Sequence, residues 1–279
     1  MLKLYYKLTL RANLLSIKFR QDFRDEPAYF DTHCHLTLCE NHIPLDKHIN
    51  SCRQNHIKAV LDAGVHPDDY SLRRRKLTPY PEVLMGAALA PHSVNQSSEK
   101  DLYKLEKLIQ QEKVQAVSET GLEYFHFKNN RKKQQNFFYN QLLLARKYKL
   151  PVFLHIRDAY PQAAAMVKAA GIRRGAVHCF TGSKEDAASF LDLGFYLSFS
   201  GIITFKKSEK LRACLKQLPA DRILTETDAP YLSPEPKRGE KNIAANIIHT
   251  NRFIAGLLQT DLNDLNRRLM QNAKKLLSL

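Results

Sequence analysis

Phe30-Asp31-Thr32-His33-Cys34-His35 closes a short strand-like run with two imidazoles spaced two residues apart. Strand side chains alternate between faces, so His33 and His35 fall on the same face and can close on a single ion. Further metal-competent groups end other apolar runs: Glu119 in Val117-Ser118-Glu119-Thr120-Gly121, His155 in Phe153-Leu154-His155, His178 in Ala176-Val177-His178, and Asp228 in Glu226-Thr227-Asp228-Ala229-Pro230. Any one of these alone reads as a buried polar residue with a partner. Together, four imidazoles and two carboxylates exceed what one tetrahedral ion takes and suffice for two ions sharing a carboxylate. Glu119 is the expected bridge, with His33, His35 and Asp228 around one ion and His155 and His178 around the other. Asp228 is also the expected acceptor of a proton from an attacking water, so Glu119 and Asp228 carry the catalytic roles. Nitrogen and oxygen ligands without thiolate suit magnesium, manganese or zinc, and spacing does not choose among them.

Such ligands need a frame that brings distant strand ends together. Strand-like runs recur at Tyr29–Asp31, Ala59–Ala63, Val83–Ala90, Ala116–Ser118, Val152–His155, Ala176–His178, Tyr196–Ser200 and Ile223–Glu226. Helical spacing fills the intervals, as in Glu99–Gln111, Arg131–Tyr148, Tyr160–Ala170, Lys184–Leu193 and Ser208–Gln217. Strands alternating with helices imply a parallel sheet, and eight units in this length imply an α/β fold of the (β/α)8 TIM barrel type. No Gly-x-Gly-x-x-Gly follows the first strand, which argues against a doubly wound sheet. In a barrel the groups above would all stand at the C-terminal mouth.

The chain has 279 residues and a formal net charge of +15, an excess that favours polyanionic partners. Its five cysteines form no CxxC pair or framework, which fits reduced thiols and a cytoplasmic setting. No apolar run is long enough for a membrane span, and no obligate protein partner is evident. Residues 1–28 read as an N-terminal extension of unassigned role, and the hydrolase domain as 29–279. In the extension Leu2, Leu4, Tyr6, Leu8 and Leu10 alternate with polar residues, and no acid occurs before Asp22. An organelle-targeting segment, a peripheral extension or an early start all fit that pattern, the last two better.

The ordered set Phe30–Leu36, Glu119-Thr120-Gly121-Leu122-Glu123, Pro151–Arg157, His178-Cys179-Phe180-Thr181-Gly182 and Glu226–Tyr231 resembles the TatD-type metal-dependent deoxyribonucleases of the amidohydrolase superfamily. The resemblance implies a (β/α)8 barrel and a divalent-metal site at His33, His35, Glu119, His155, His178 and Asp228. It also implies a magnesium-dependent 3′→5′ exonuclease on DNA, with single strands or 3′ ends as partner. Departures lie around the rim. The family's Gly-x-His-Pro-His reads Ala88-Leu89-Ala90-Pro91-His92, its Gly-Leu-Asp reads Gly121-Leu122-Glu123, and its Arg-Gly-x-x-Asn-Glu-Pro reads Arg238-Gly239-Glu240-Lys241-Asn242-Ile243-Ala244.

Substrate contacts are expected from Arg157, two residues past His155, and from His126 on the loop after strand four. Arg238 and Asn242 are expected to meet phosphate in the region after strand eight. His66 is a candidate replacement for the histidine absent at Ala90. Arg73-Arg74-Arg75-Lys76 reads as a solvated face of an outer helix, whereas Lys128, Arg131, Lys132 and Lys133 are better placed for DNA. Two rival readings stay open: a metal-dependent hydrolase of a lactone, cyclic amide or phosphotriester, and a nucleic-acid-binding protein with a decayed site.

Overall fold

The computed structural model describes residues 28–279. The expected extension over residues 1–28 therefore lies, apart from Ala28, outside the described residues. Eight parallel strands follow one another: β1 (Tyr29–Cys34), β2 (Ile57–Asp62), β3 (Val83–Met85), β4 (Val117–Glu123), β5 (Val152–Arg157), β6 (Gly175–Val177), β7 (Tyr196–Phe199) and β8 (Ile223–Thr225). They pair in two arcs, β1-β2-β3 and β4 through β8, each strand next to its successor. A parallel bridge from Gly86 to Ala116 joins the arcs on one side. On the other, Asp228 N–H donates to His33 O at 2.9 Å and His35 N–H to Ala229 O at 2.8 Å. The result is a (β/α)8 barrel.

Helices return the chain between strands: α1 (Leu45–Gln54), α2 (Tyr70–Leu77), α3 (Glu99–Gln111), α4 (Arg131–Lys147), α5 (Tyr160–Ala170), α6 (Lys184–Asp192) and α7 (Glu209–Leu215), with α8 (Ile247–Leu258) and α9 (Leu262–Leu277) after β8. Their ends follow local chemistry. Ser183 and Asp186 form a reciprocal capping box on α6, Asp261 caps α9 through the N–H groups of Asn263 and Asp264, and Gly171 ends α5 at φ +71°. None of the helices among the described residues is long and apolar enough to cross a membrane.

Apolar strand side chains fill the barrel. Phe30, Leu61, Leu84, Phe153, Tyr196 and Leu224 form one buried cluster with Met270, Ala273 and Leu277 of α9. Those α9 residues recur at one helical face, so the last helix seals the end of the barrel opposite the site. Side chains from the opposite strand ends are left to build a polar mouth.

All eight strands depart from the expected bounds by one residue or more, and three of the departures bear on the site. β3 ends at Met85 rather than Ala90: Ala87 still bonds to the backbone of Ala116 and Ser118, but at Leu89 a side chain replaces the strand partner, Gln141 Oε1 accepting from Leu89 N–H at 2.8 Å and its Nε2 donating to Leu89 O at 2.9 Å. β4 runs on to Glu123, with a register break between Val117 and Thr120, so Glu119 lies within the strand and not after it. β5 likewise continues past His155 to Arg157.

The Arg73–Lys76 run is not uniformly solvated. Arg73 is buried, with Nη1 2.6 Å from Asp62 Oδ2, Nε 2.6 Å from Asp69 Oδ1 and Nη2 2.7 Å from Gly86 O. Only Arg74 and Lys76 form surface pairs, with Glu112 and Glu40.

The altered element after β8 is held by histidines of the first helix and the loop before it. His42 Nε2 lies 3.0 Å from Asn242 O, and His48 Nε2 accepts from Ala244 N–H at 2.8 Å. A proline at 244, the family's usual residue, has no such N–H to give. Burial, with the nearby His42, pushes His48 down from 6.5 to about 4. Between those values the unfolded chain binds a proton that the folded chain does not. Stability is therefore complete above pH 6.5 and falls as pH drops toward 4, by about 3 kcal/mol. Urea unfolding at pH 7 and near pH 4.5 should show a steeper acid loss in the wild type than in His48→Gln. Equal losses would remove His48 as the cause.

Candidate metal centre

Glu119 stands at the centre of the mouth. Its Oε2 lies 3.5 Å from His33 Nε2 and 3.6 Å from His35 Nε2. The same two nitrogens face Asp228 Oδ1 at 3.9 and 3.6 Å. Its Oε1 lies 2.9 Å from His155 Nδ1 and 3.7 Å from His178 Nε2. The two oxygens of one carboxylate thus serve two groups of donors. His33 stacks on His178 at a centroid distance of 3.9 Å and approaches both groups, but the nearer Oε2 places it with His35 and Asp228.

Local structure sets these positions. β1 carries His33, with His35 in the turn behind it, and the rings meet edge to face at 5.1 Å. Cys34 points away from the cluster and packs in the core, its Sγ 3.8 Å from Ala229 O. Asp228 sits in the left-handed region at φ +55°, a conformation aspartate tolerates. Asp31 ties the two ends together: Oδ2 accepts from Thr227 Oγ1 at 2.5 Å, while Oδ1 accepts from Thr227 N–H at 2.9 Å and His33 N–H at 3.2 Å. Burial pushes Asp31 up to about 8 in spite of those bonds.

Burial would protonate the carboxyls and strip the histidines, yet the pairing overrides it for most of them. Burial pushes Glu119 up, but His155, His178 and His33 around it hold it well below the usual carboxylate range. Asp228 is likewise lowered by His35, His178 and His33 against its burial. His155 is lowered by burial but raised more by Glu119 and Glu123, to about 9. Burial keeps His33 below its ordinary value, and its buried Nε2 has no hydrogen-bond partner. An orphaned nitrogen aimed at two carboxylates, in a set of N and O donors, fits divalent ions. His33, His35 and Asp228 offer atoms within 4.8 Å of one another, as do His33, Glu119 and His178.

Two carboxylates that sequence reasoning gave no role stand behind the histidines. Glu226 Oε1 lies 3.2 Å from His178 Nδ1 and accepts from Cys179 N–H at 2.7 Å. Glu123 Oε2 lies 3.3 Å from His155 Nε2, while its Oε1 accepts from the N–H groups of Phe125 and His126 at 2.8 and 3.0 Å. His35 Nδ1 instead faces Ala63 O at 3.3 Å. Such partners fix ring orientation and leave the other nitrogen for an ion. The available signal was a charge inside each strand-end motif, since a buried carboxylate needs a partner. His92, on the rim after β3, was also given no role: partial desolvation lowers it although its surface is exposed, with Glu119, His155 and His35 within electrostatic reach.

The other candidates are dispersed. Arg157 is exposed and lies over the Phe125 ring at 4.3 Å, with no ion pair holding it among the described residues. His126 is exposed beside Phe125, its Nδ1 3.4 Å from Glu123 Oε2. Arg238 lies over the Phe205 ring at 3.9 Å and is exposed on the post-β8 loop. Asn242 must be corrected: it is fully buried, and its amide is consumed by the fold. Nδ2 donates to Thr227 O at 2.9 Å and Tyr231 O at 2.6 Å, and Oδ1 accepts from Ile243 N–H at 3.0 Å and Asn246 Nδ2 at 2.9 Å. It braces the turn that carries Asp228 instead of touching phosphate. His66, the candidate replacement for the histidine absent at Ala90, uses its Nδ1 to accept from Asp68 N–H at 3.3 Å in its own turn. The group His66, Asp68 and Asp101 is no second centre, because Lys104 Nζ fills it, 3.0 Å from Asp68 and 3.1 Å from Asp101.

A histidine and carboxylate cluster at the C-terminal mouth of a (β/α)8 barrel defines a metal-dependent hydrolase of the amidohydrolase superfamily. The chain belongs to the TatD related DNase family, whose profile matches residues 30–278. It is 32% identical to the metal-dependent hydrolase YabD of Bacillus subtilis over 88% of this chain and 98% of that protein. It is 32% identical to the metal-dependent hydrolase YcfH of Escherichia coli over 88% and 94%. Among solved structures, YJJV, a TatD homolog from Escherichia coli, superposes with a TM-score of 0.84 at 26% identity, covering 90% of this chain and 98% of that one.

Proposed function

We propose that this protein hydrolyses phosphodiester bonds of DNA, working from the 3′ ends of single strands. The observation that carries the reading is the division of Glu119 between two donor groups, His33, His35 and Asp228 on one oxygen and His155 and His178 on the other. Two divalent ions held by these residues, magnesium ahead of manganese or zinc, would supply Lewis acidity to a water and to the phosphoryl oxygens. The chain's own residues do the rest. Glu119 and Asp228 stay ionised at neutral pH, and Asp228 keeps 13% exposure of its side chain. Its carboxylate is thereby open to take a proton from the attacking water. Glu123 and Glu226 hold His155 and His178 in orientation.

The rim supports a polyanionic substrate. Arg157, Lys128, Arg131 and Lys132 are exposed on the β4–β5 side, and Lys206, Lys207, Arg238 and Lys241 on the β7–β8 side. The net charge of +15 agrees with them. Free cysteines suit a reducing, cytoplasmic setting.

A metal-titrated assay on end-labelled single- and double-stranded DNA, run beside a lactone and a phosphotriester, tests the reading. Stepwise release from the 3′ end, faster on single strands and dependent on added ion, is the expected result. Faster turnover of the lactone or phosphotriester would transfer the site to small-molecule chemistry. DNA binding with no turnover at any ion concentration would mark a decayed site.

A further inference from the structure

Two exposed aromatic rings flank the polar cluster, and neither belongs to a hydrophobic core cluster. Phe125 is 49% exposed and Tyr231 54%. Among the described residues the remaining exposed Phe and Tyr rings, Tyr103 and Tyr139, belong to the outer helices α3 and α4. Phe125 follows β4 and Tyr231 follows β8, strands that stand across the barrel from one another in its order. The cluster lies between them.

Both rings are anchored to the site. Phe125 N–H donates to Glu123 Oε1 at 2.8 Å, and Glu123 in turn faces His155. Arg157 lies over one face of the Phe125 ring at 4.3 Å, so a base would stack on the other face with the guanidinium behind the ring. Tyr231 stands edge-on to His35 at 6.3 Å. Its N–H donates to Asp228 O at 2.9 Å, and its carbonyl accepts from Asn242 Nδ2 at 2.6 Å. Burying Asn242 to hold that carbonyl makes sense if the position of the exposed ring matters.

Resting on the DNA reading, we propose that Phe125 and Tyr231 form a bracket that stacks one nucleobase on each side of the bond to be cut. Every base has a π-face, so the bracket accepts any sequence, while a duplex keeps its bases stacked inward and cannot offer them. Selection of single strands resides in these two rings and not in the polar cluster.

The test uses full-length protein with divalent ion and short single strands that carry phosphorothioate linkages against cleavage. 2-Aminopurine, whose fluorescence falls when it stacks, replaces the last or the penultimate base. Binding should quench the probe, and Phe125→Ala and Tyr231→Ala should each lose the quench at one position and weaken binding by about 10- to 100-fold. Phe125→Trp and Tyr231→Phe should restore both, which separates stacking from loss of structure. A strand made abasic at the two positions should bind wild type and alanine variants alike. Alanine variants that bind and quench as the wild type does would overturn the bracket. This readout needs no turnover, so a wild type that fails to cut DNA sinks the nuclease reading separately.

Discussion

Glu119→Gln should lower turnover by on the order of 10³- to 10⁴-fold while leaving the barrel folded. The amide keeps the volume but carries no charge and has a single acceptor oxygen. It can serve the His33, His35 and Asp228 group or the His155 and His178 group, but not both, because the native contacts use Oε2 for one and Oε1 for the other. Calorimetric titration with manganese or zinc should accordingly show two ions taken up by the wild type and no more than one bound tightly by the variant. Glu123→Gln acts through His155 alone and should cost only about 10- to 100-fold in ion affinity. A Glu119→Gln protein that takes up two ions and turns over as the wild type does would end the assignment of Glu119 as the shared carboxylate.

The six residues of the cluster were legible because a barrel exposes them by rule. Each ends an apolar run, and a run of strand length followed by an imidazole or carboxylate can be read without knowing the fold. The eight strands were legible for the same reason, since parallel strands buried on both faces are continuous apolar segments. What surrounds the cluster was not. Arg73 looks like its neighbours in an Arg-Arg-Arg-Lys run, and only the position of Asp62 at the end of β2 shows which arginine turns inward. Asn242 carries a phosphate-competent amide, but the carbonyls of Thr227 and Tyr231 take its Nδ2, and Ile243 N–H and the Asn246 side chain take its Oδ1. Glu123 and Glu226 are plain in the sequence as residues, yet their work depends on facing histidines from other strands. Local pattern reports what a side chain can do. Competing partners, far away in sequence, decide what it does.

Gly121→Ala should be the most damaging single methyl group in the chain. At φ +148°, Gly121 adopts a backbone that L side chains rarely accept, and a Cβ built there would stand 1.9 Å from His155 O and 2.8 Å from its carbonyl carbon. Both obstacles are backbone, so no rotamer change relieves them. β4 would have to part from β5 at the rung where Gly121 pairs with His155. The expected loss is about 4 kcal/mol or more, read as a fall in the urea midpoint. Gly256→Ala, on an exposed turn of α8 with nothing within 4 Å of the new methyl, should instead gain about 0.5–1 kcal/mol. The site should suffer with the fold. His155 is pinched between two carboxylates of the same strand, Glu119 at 2.9 Å from Nδ1 and Glu123 at 3.3 Å from Nε2. Those contacts exist because Gly121, midway between them, lets β4 lie directly against the His155 backbone. Whatever Gly121→Ala protein remains folded should therefore bind ion more weakly than the wild type. A variant within about 1 kcal/mol of wild-type stability, with ion affinity intact, would show that the two strands can part here without harm.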